Sequence, residues 1–449
     1  MHRYSLPAIS FVMAAVMLAI AGCSAAPGSP GSDQVIIGYV GNSSSPGTRP
    51  CMDFMQIAVD DINAEGGIMG KRVNFVVEDG RGETAASVAA AQRLIMRYKP
   101  AVYYIEGRSE IALAIREKSA DLFTSYPHLA MCNGAADWEV TAGIVTQYDR
   151  YKFFFRDFEW AQYPWYYNLG LRVLKDSVKA SKVALLYEDL AWTQLYQEGG
   201  GPGNMPSMWK YAESQGFEVV YDKPVKSRSG MWLPVFEAIA KTGAEAIFVL
   251  SSWYTDTEVM AKQWADSSAR NIPILAMGGT ICNKTFWEMT SGKCLGLLTS
   301  YQDDDTIPVT PRYIPLIQKA HTKNIPLQFH VISAYNDAVG MKVAMETART
   351  TTDIDALIKE FERGEPWEGL TGPASFNPER VEPWFHSGKI TSQKNLLDVA
   401  YPDRFHIPLN QWQGQDKLPL LLTWPGFMKY ANPDAYKSPA QLRAEAGVK

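Results

Sequence analysis

A single cysteine, Cys23, stands between a hydrophobic run and a flexible spacer. Residues 9–20 are almost wholly apolar after a short basic start, and they are too short to span a membrane comfortably. The sequence IAGC at residues 20–23 has the pattern of a bacterial lipobox, in which the cysteine thiol accepts a lipid. An ordinary signal peptide followed by a chance cysteine is the alternative. We predict a lipoprotein signal peptide over residues 1–22, lipidation at Cys23 and a flexible tether over residues 23–33.

Four further cysteines follow in a chain that is expected to work outside the cytoplasm. An even set in an exported protein favours disulfides, and four cysteines allow three pairings. We predict that Cys282 pairs with Cys294, which closes a short loop worth about 3 kcal/mol in the chain-entropy model, and that Cys51 pairs with Cys132. The spacings do not resemble a zinc site, because no CxxC or nearby histidine pair occurs. We expect no metal and no cofactor.

Motifs that mark an enzyme are missing from the sequence. No GxSxG elbow, HExxH helix, Walker A loop or kinase motif set occurs. The net charge is −5, whereas a nucleic-acid surface needs a basic stripe. These features favour a binding protein over an enzyme and exclude a nucleic-acid partner. Hydrolysis by two carboxylates in a cleft is the catalytic alternative.

Two series of alternating strands and helices must position any site. A strand over residues 34–40 precedes a helix whose apolar residues recur at i, i+3, i+4 and i+7 from Met55, and which ends at Gly66 and Gly67. A second series begins near Lys182. Repeated βα units of this length indicate parallel sheets with helices on both faces. We therefore predict an α/β fold of two doubly wound parallel-sheet lobes joined by a multi-strand hinge.

Several stretches resemble one known family. QVIIGYVG, from Gln34, and DINAEGGIMG, over residues 61–70, are similar to the opening of the leucine/isoleucine/valine-binding family of type I periplasmic binding proteins. KVALLYEDLAW, from Lys182, resembles the first strand of that family's second lobe, and PLNQWQ, at residues 408–413, resembles a late strand. The resemblance implies a lipid-anchored receptor whose lobes close on a small solute and present it to an ABC transporter.

The same resemblance implies a division of the chain and a set of partners. We predict a first lobe over 34–157 and 303–370, a second lobe over 158–302 and 371–425, and a C-terminal tail over 426–449. The expected partners of this monomer are a small-molecule solute, the permease subunits and, through its lipid, a membrane of the cell envelope. A sensory receptor of the same fold that signals to a membrane kinase or chemoreceptor is the alternative.

Ligands of open parallel sheets bind beyond the carboxyl ends of the strands, so the loops that follow the strands supply the candidate site. The predicted ligand-binding residues in the first lobe are Arg108, Ser109, Asn133, Gly134, Ala135 and Asp137. Those in the second lobe are Trp160, Tyr187, Asp189, Trp253, Tyr254 and Thr280.

The candidate site departs from the pattern of the family's amino-acid binders. In those proteins the second lobe supplies a carboxylate side chain for the ammonium group of the ligand. In this sequence Thr280 aligns with that acidic residue. A buried ammonium without a carboxylate partner costs several kcal/mol. Arg108 could pair with a carboxylate, and Trp192 and Trp253 could stack on a flat ligand, although a structural ion pair and packed aromatic residues are the alternatives. We expect a small polar or aromatic solute, such as an amino acid, an amide or a related compound.

Overall fold

The computed structural model describes residues 33–157, 162–201, 204–226, 228–301, 303–388, 408–423 and 425–448. The predicted signal peptide, the lipidation site Cys23 and the candidate Trp160 lie outside the described residues. Within the described ranges, no helix is long and apolar enough to cross a bilayer.

Five parallel strands form the first sheet. They are β1 (Gln34–Gly41), β2 (Arg72–Asp79), β3 (Val102–Ile105), β4 (Leu129–Cys132) and β5 (Phe154–Arg156). Their spatial order is β2-β1-β3-β4-β5. Every residue of β3, β4 and β5 is buried, as expected for parallel strands that are covered on both faces.

Four helices accompany these strands. They are α1 (Arg49–Ala64), α2 (Thr84–Arg93), α3 (Ser109–Ala120) and α4 (Tyr148–Tyr151). The helix predicted from the stripe at Met55 is α1, and its apolar residues are buried. It ends before Gly67, where φ is +79° and an added Cβ would lie 2.0 Å from the Lys71 carbonyl oxygen. Only glycine fits this turn without strain.

The second sheet begins with another five parallel strands. They are β6 (Lys182–Glu188), β7 (Glu218–Val225), β8 (Ala246–Leu250), β9 (Ile274–Met277) and β10 (Leu298–Thr299). In the described part of this stretch, six α-helices accompany them: α5 (Gln162–Asp176), α6 (Gln194–Glu198), α7 (Met208–Ser214), α8 (Leu233–Ile239), α9 (Thr257–Asp266) and α10 (Phe286–Thr290). Alternate side chains of β6 enter separate cores on the two faces: Leu185 and Tyr187 enter one, Ala184 and Leu186 the other.

The chain then returns to the first core and afterwards to the second sheet. The returning elements are α11 (Tyr313–Thr322), α12 (Phe329–Ala348), α13 (Ile354–Glu362), β11 (Trp367–Gly369) and β12 (Gly372–Ala374). The last elements are β13 (Leu409–Gln411), β14 (Leu420–Leu422) and α14 (Pro439–Glu445). β13 pairs antiparallel with β10, and β14 pairs antiparallel with β13. The prediction of an α/β fold with two parallel-sheet lobes is confirmed.

Contacts near the chain crossings bear on where the lobes divide. Phe376 packs in the first core, and the Gly388 amide donates to the Arg156 carbonyl oxygen at 2.7 Å. These contacts attach residues beyond 370, the predicted end of the first lobe, to the first sheet. The predicted tail contacts the second sheet, because Gln411 Nε2 donates to the Lys437 carbonyl oxygen at 2.7 Å. The exact lobe boundaries stay predictions.

Candidate functional site

A cavity lies between the two sheets, where the loops that follow their strands meet. Its volume is about 540 Å³, which is within the range of small-molecule sites. The first lobe contributes the loops after β3 and β4, and the second lobe those after β6, β7 and β8. Gly107 allows the two first-lobe loops to approach, because a Cβ there would lie 2.5 Å from the Asn133 carbonyl oxygen.

Half of the ligand-binding residues that were predicted from their places beyond strand ends line this cavity. The predicted residues that line it are Arg108, Ser109, Gly134, Asp189, Trp253 and Tyr254. Trp192, which the sequence analysis offers as a stacking residue, lines it as well. Their contact with a ligand stays a prediction.

Other candidates lie elsewhere, each for a local reason. Ala135 is fully buried, and Tyr187 packs in a second-lobe core. The Asp137 carboxylate accepts a hydrogen bond from the Glu139 amide at 2.9 Å and so caps a short turn. The Thr280 hydroxyl donates to Glu258 Oε2 at 3.0 Å. Asn133 lines a smaller inner chamber beside the cavity.

Arg108 is largely committed to partners within its own lobe. Its Nη1 donates to the Gly82 carbonyl oxygen at 2.5 Å, and its Nη2 pairs with the Glu110 carboxylate. The guanidinium also lies 5.6 Å from the centre of the Tyr254 ring. Burial acts to lower the pKa of Arg108, but the charge of Glu110 and its hydrogen bond raise it overall. The ion-pair alternative therefore describes Arg108 better than a free carboxylate receptor does.

Arg228 lines the cavity from the second lobe, and the sequence analysis missed it. Its Nε donates to the Tyr254 carbonyl oxygen at 2.7 Å, and among the described residues its two Nη atoms have no hydrogen-bond partner. The residue is exposed. It follows β7, so the rule that site residues lie beyond strand ends would have found it. Ser252, after β8, was missed in the same way.

The inner chamber lies where the second lobe touches the first. It shares Gly107, Trp253 and Tyr254 with the main cavity. The Trp253 ring lies 4.0 Å from the His330 ring, centre to centre, which joins the loop after β8 to α12. Glu106 is 1% exposed and closes the chamber from the first lobe, and burial raises the pKa of its carboxyl.

Two carboxyls, the partly buried Asp157 and the buried Asp337, support the floor of the site where the chain leaves β5. Asp157 accepts from the Gly134 amide and from Asn133 Nδ2, both at 2.8 Å. Burial, and then the charge of Asp157, raise the pKa of Asp337 on α12 well above its usual value. These bonds fix the loop after β4 to the hinge and to α12.

The structure contradicts both predicted disulfides. Cys51, Cys132, Cys282 and Cys294 are all buried free thiols. Each has separate surroundings: Cys51 Sγ is 3.8 Å from the His330 carbonyl oxygen, and Cys282 Sγ is 3.8 Å from Thr299 Oγ1. The even count and the short spacing were therefore misleading, because a bridge requires two Cβ atoms that face each other. Among the described residues, no cluster of three or more His, Cys, Asp or Glu side chains could hold a metal ion.

Two α/β lobes that face a shared cavity define a bilobal binding protein. The family model described as "Periplasmic binding protein" matches residues 34–384. The chain belongs to this family of periplasmic binding proteins. It is a solute-binding protein of the extracytoplasmic space rather than an enzyme, and the predicted resemblance is confirmed.

Individual relatives are similar over most of their length. The Leu/Ile/Val-binding protein homolog 3 of Brucella melitensis is 24% identical over 325 residues, which cover 72% of this chain and 80% of that protein. An ABC-transporter solute-binding protein of Rhodopseudomonas palustris HaA2, solved with p-hydroxybenzoic acid, has 21% identity and a TM-score of 0.64, covering 90% and 99% of the two chains. LivJ of Streptococcus pneumoniae, solved with isoleucine, has 16% identity and a TM-score of 0.61, covering 82% and 98%. These solved structures share the fold.

Proposed function

We propose that the protein captures a small aromatic carboxylate between its lobes and delivers it to an ABC importer. The observation that carries this proposal is the interlobe cavity of about 540 Å³, lined by residues of both lobes. A solute that contacts both lobes favours the closed arrangement by its differential affinity for closed over open. The transporter then reads closure as the loaded state.

A carboxylate is favoured by the cations at the cavity. The guanidinium of Arg228 carries Nη atoms without hydrogen-bond partners among the described residues, and a planar guanidinium binds carboxylates in a bidentate way. The alternative receptor in the first lobe, Arg108, already pairs with Glu110. Arg228 is therefore the residue that we expect to hold the solute carboxylate.

A flat or apolar body is favoured by the aromatic residues at the cavity. Trp192, Trp253 and Tyr254 line it, and each could bury a large area of a ring. Asp189 also lines it and is exposed, so a cationic substituent on the solute has a partner in the second lobe. Solved relatives bind p-hydroxybenzoic acid or isoleucine, so both classes belong in a test.

A melting screen on refolded protein tests the proposal. Unfolding and refolding the full chain first removes any co-purified solute. Aromatic carboxylates, including benzoate and 4-hydroxybenzoate, are compared with aliphatic amino acids, amides and polyamines. A ligand at one hundred times its dissociation constant stabilises the folded state by about 2.7 kcal/mol, so it should raise the melting temperature clearly. A response to aliphatic amino acids alone would contradict the proposed solute class, and no response at all would contradict solute capture.

The membrane anchor and the transporter partner belong to the same proposal. The lipobox at Cys23 supports acylation, and the acyl chains would hold the protein at the envelope by burying methylenes at about 0.8 kcal/mol each. Metabolic palmitate labelling should mark the protein and vanish in Cys23→Ala, whereas persistent labelling would contradict the anchor. Co-purification with permease subunits, rather than with a kinase or chemoreceptor, should separate transport from sensing.

A further inference from the structure

The inner chamber contains a carboxylate oxygen that has no partner. Glu106 Oε2 accepts hydrogen bonds from the Asn42 amide at 2.7 Å and from Thr48 Oγ1 at 3.2 Å. Glu106 Oε1 is buried and has no hydrogen-bond partner, although the residue is only 1% exposed. One oxygen therefore holds the side chain in place, while the other is left for something outside the protein.

Two more buried acceptors belong to the residues around the same chamber. Asn133 is 1% exposed, and its Nδ2 donates to Asp157 and to Ser333, while its Oδ1 has no partner. His330 Nε2 lies 2.7 Å from the Gly47 carbonyl oxygen, so this nitrogen carries the proton and Nδ1 is an acceptor. His330 Nδ1 also has no partner. All three of these groups accept hydrogen bonds, whereas a further unpaired group that lines the chamber, the buried Tyr39 hydroxyl, carries one proton and can donate to only one of them.

Unpaired acceptors of this kind call for a donor. Buried polar groups in folded proteins are almost always hydrogen-bonded, so each exception needs an explanation. The chamber has about 10 Å³ of free space, which is room for one water-sized group. It shares Gly107, Trp253 and Tyr254 with the main cavity, so a substituent of a solute held there lies within reach of it.

We propose that the inner chamber is a subsite for a hydrogen-bond donor, a hydroxyl or a protonated amine, at the end of the solute opposite its carboxylate. The donor contacts Glu106 Oε1, with Asn133 Oδ1 and His330 Nδ1 as the other available acceptors. The first lobe then selects the donor end, while Arg228 of the second lobe holds the carboxylate. This inference rests on the proposed function and narrows its solute class to carboxylates that carry a donor.

Calorimetric titration of the refolded full chain tests the subsite with matched solutes. Benzoate lacks the donor, 4-hydroxybenzoate carries a hydroxyl and 4-(aminomethyl)benzoate carries an ammonium. We expect at least one donor-bearing member to bind at least about tenfold more tightly than benzoate, because a site built to bind a hydroxyl or amine rejects the analogue without it. The two donor-bearing solutes show whether the chamber accepts a hydroxyl or an ammonium group.

Substitution of Glu106 ties the preference to the chamber. Glu106→Gln replaces one carboxylate oxygen with an NH2 donor, and we expect the preference over benzoate to fall to within about threefold. Glu106→Asp withdraws the carboxylate by one methylene and should also reduce the preference for donor-bearing solutes over benzoate. It tests the subsite if Glu106→Gln does not fold. Glu346→Gln, an exposed carboxylate on α12, is the matched control and should keep the preference.

Two results would overturn the subsite while leaving solute capture intact. Benzoate that binds as tightly as both donor-bearing solutes would mean that a buried water fills the chamber. Glu106 variants that weaken benzoate and its partners equally would mean that the residue only supports the fold. If none of the carboxylates binds the unmodified chain, the proposed function fails, and the subsite fails with it.

Discussion

The inner chamber and the second-lobe wall of the cavity are built in different ways. In the chamber, on the first-lobe side, Glu106 and Asn133 are each 1% exposed and held by hydrogen bonds to backbone and side-chain groups. On the second-lobe side, Arg228 and Asp189 are exposed, and Trp253 is only partly buried. A buried network fixes polar atoms before any ligand arrives, whereas an exposed wall can adjust as the lobes approach. We therefore expect the first lobe to supply selectivity, and the second to supply charge and aromatic cover.

The largest effect is expected from removing the cation of the second-lobe wall. Arg228→Met leaves a solute carboxylate unpaired in the cavity, which should cost about 3 kcal/mol of binding free energy, roughly a hundredfold in the dissociation constant. Arg228→Lys keeps the charge but loses the planar guanidinium. Its dissociation constant for the solute should lie between those of Arg228→Met and the unmodified chain. Arg363→Met, an exposed arginine paired with Glu360 on another surface, is the control. Equal binding by Arg228→Met and the unmodified chain would break the comparison.

The next effect concerns pH and the inner chamber. Burial lowers the pKa of His330 from 6.5 to about 4 in the folded state. Between pH 6.5 and pH 4 the imidazole of His330 is protonated in the unfolded chain but neutral in the folded chain. The contribution of His330 to the free energy of unfolding is therefore complete above pH 6.5 and is lost as the pH falls towards 4. Between pH 7 and pH 4.5 the loss is about 2.5 kcal/mol. Urea unfolding of His330→Gln should show an acid destabilisation smaller by about that amount.

His321 provides the control of opposite sign for that experiment. The imidazole of His321 donates a hydrogen bond to the Asp303 carboxylate, and this bond raises the pKa of His321 above 6.5. The contribution of His321 to the free energy of unfolding is therefore complete below the pKa that this residue has in the unfolded chain. It is lost as the pH rises through the higher pKa that the residue has in the folded chain. His321→Gln should not reduce the acid destabilisation. If both histidine variants respond to acid alike, the burial of His330 is not the cause.

A smaller loss is expected from the hydrogen bonds of the floor. Asn133→Ala removes the donor to Asp157 Oδ2 at 2.8 Å and to Ser333 Oγ at 3.0 Å. Leaving buried acceptors unpaired should lower the free energy of unfolding by about 2 kcal/mol. Chemical denaturation measures the change, with the exposed Ser44→Ala as the control. A loss below about 0.5 kcal/mol, the range of ordinary surface substitutions, would mean that the floor is not a rigid network.

The smallest effect is expected from reductant. Because all four cysteines are free in the structure, dithiothreitol should leave the melting temperature unchanged in both lobes. Burial raises the pKa of Cys282 to about 11 and that of Cys294 to about 12, so these thiols should react with alkylating reagents only after unfolding. Four labelled thiols in the denatured, unreduced chain, apart from Cys23, would agree with this account. A labelling that requires reductant would restore the predicted bridges.

Local patterns predicted the elements, but they could not predict tertiary partners. The apolar stripe at Met55 and the alternation of strands and helices depend only on residues that are close in the sequence. These patterns therefore predicted α1 and the parallel sheets. Thr280 was expected in the cleft, yet its hydroxyl binds Glu258 on α9, a contact that no local pattern contains. Arg228 is absent from the residues predicted for the site, although it lies just beyond the end of the edge strand β7.

The predicted cysteine pairs failed for the same physical reason. Spacing along the chain says nothing about whether two Cβ atoms face each other, and the packing around α1 and Thr299 gives Cys51 and Cys282 other neighbours. The polarity of the site was also beyond the sequence. Glu106 could be read as a charge in a loop, but its unpaired oxygen depends on Asn42 and Thr48 occupying the other one.

A crystal structure of the refolded chain with 4-hydroxybenzoate tests the central claim most directly. Density for one solute should lie between the sheets, with its carboxylate beside Arg228, its ring against Trp253 and its hydroxyl near Glu106. A solute bound on an outer surface, or in contact with only one of the two lobes, would contradict the account.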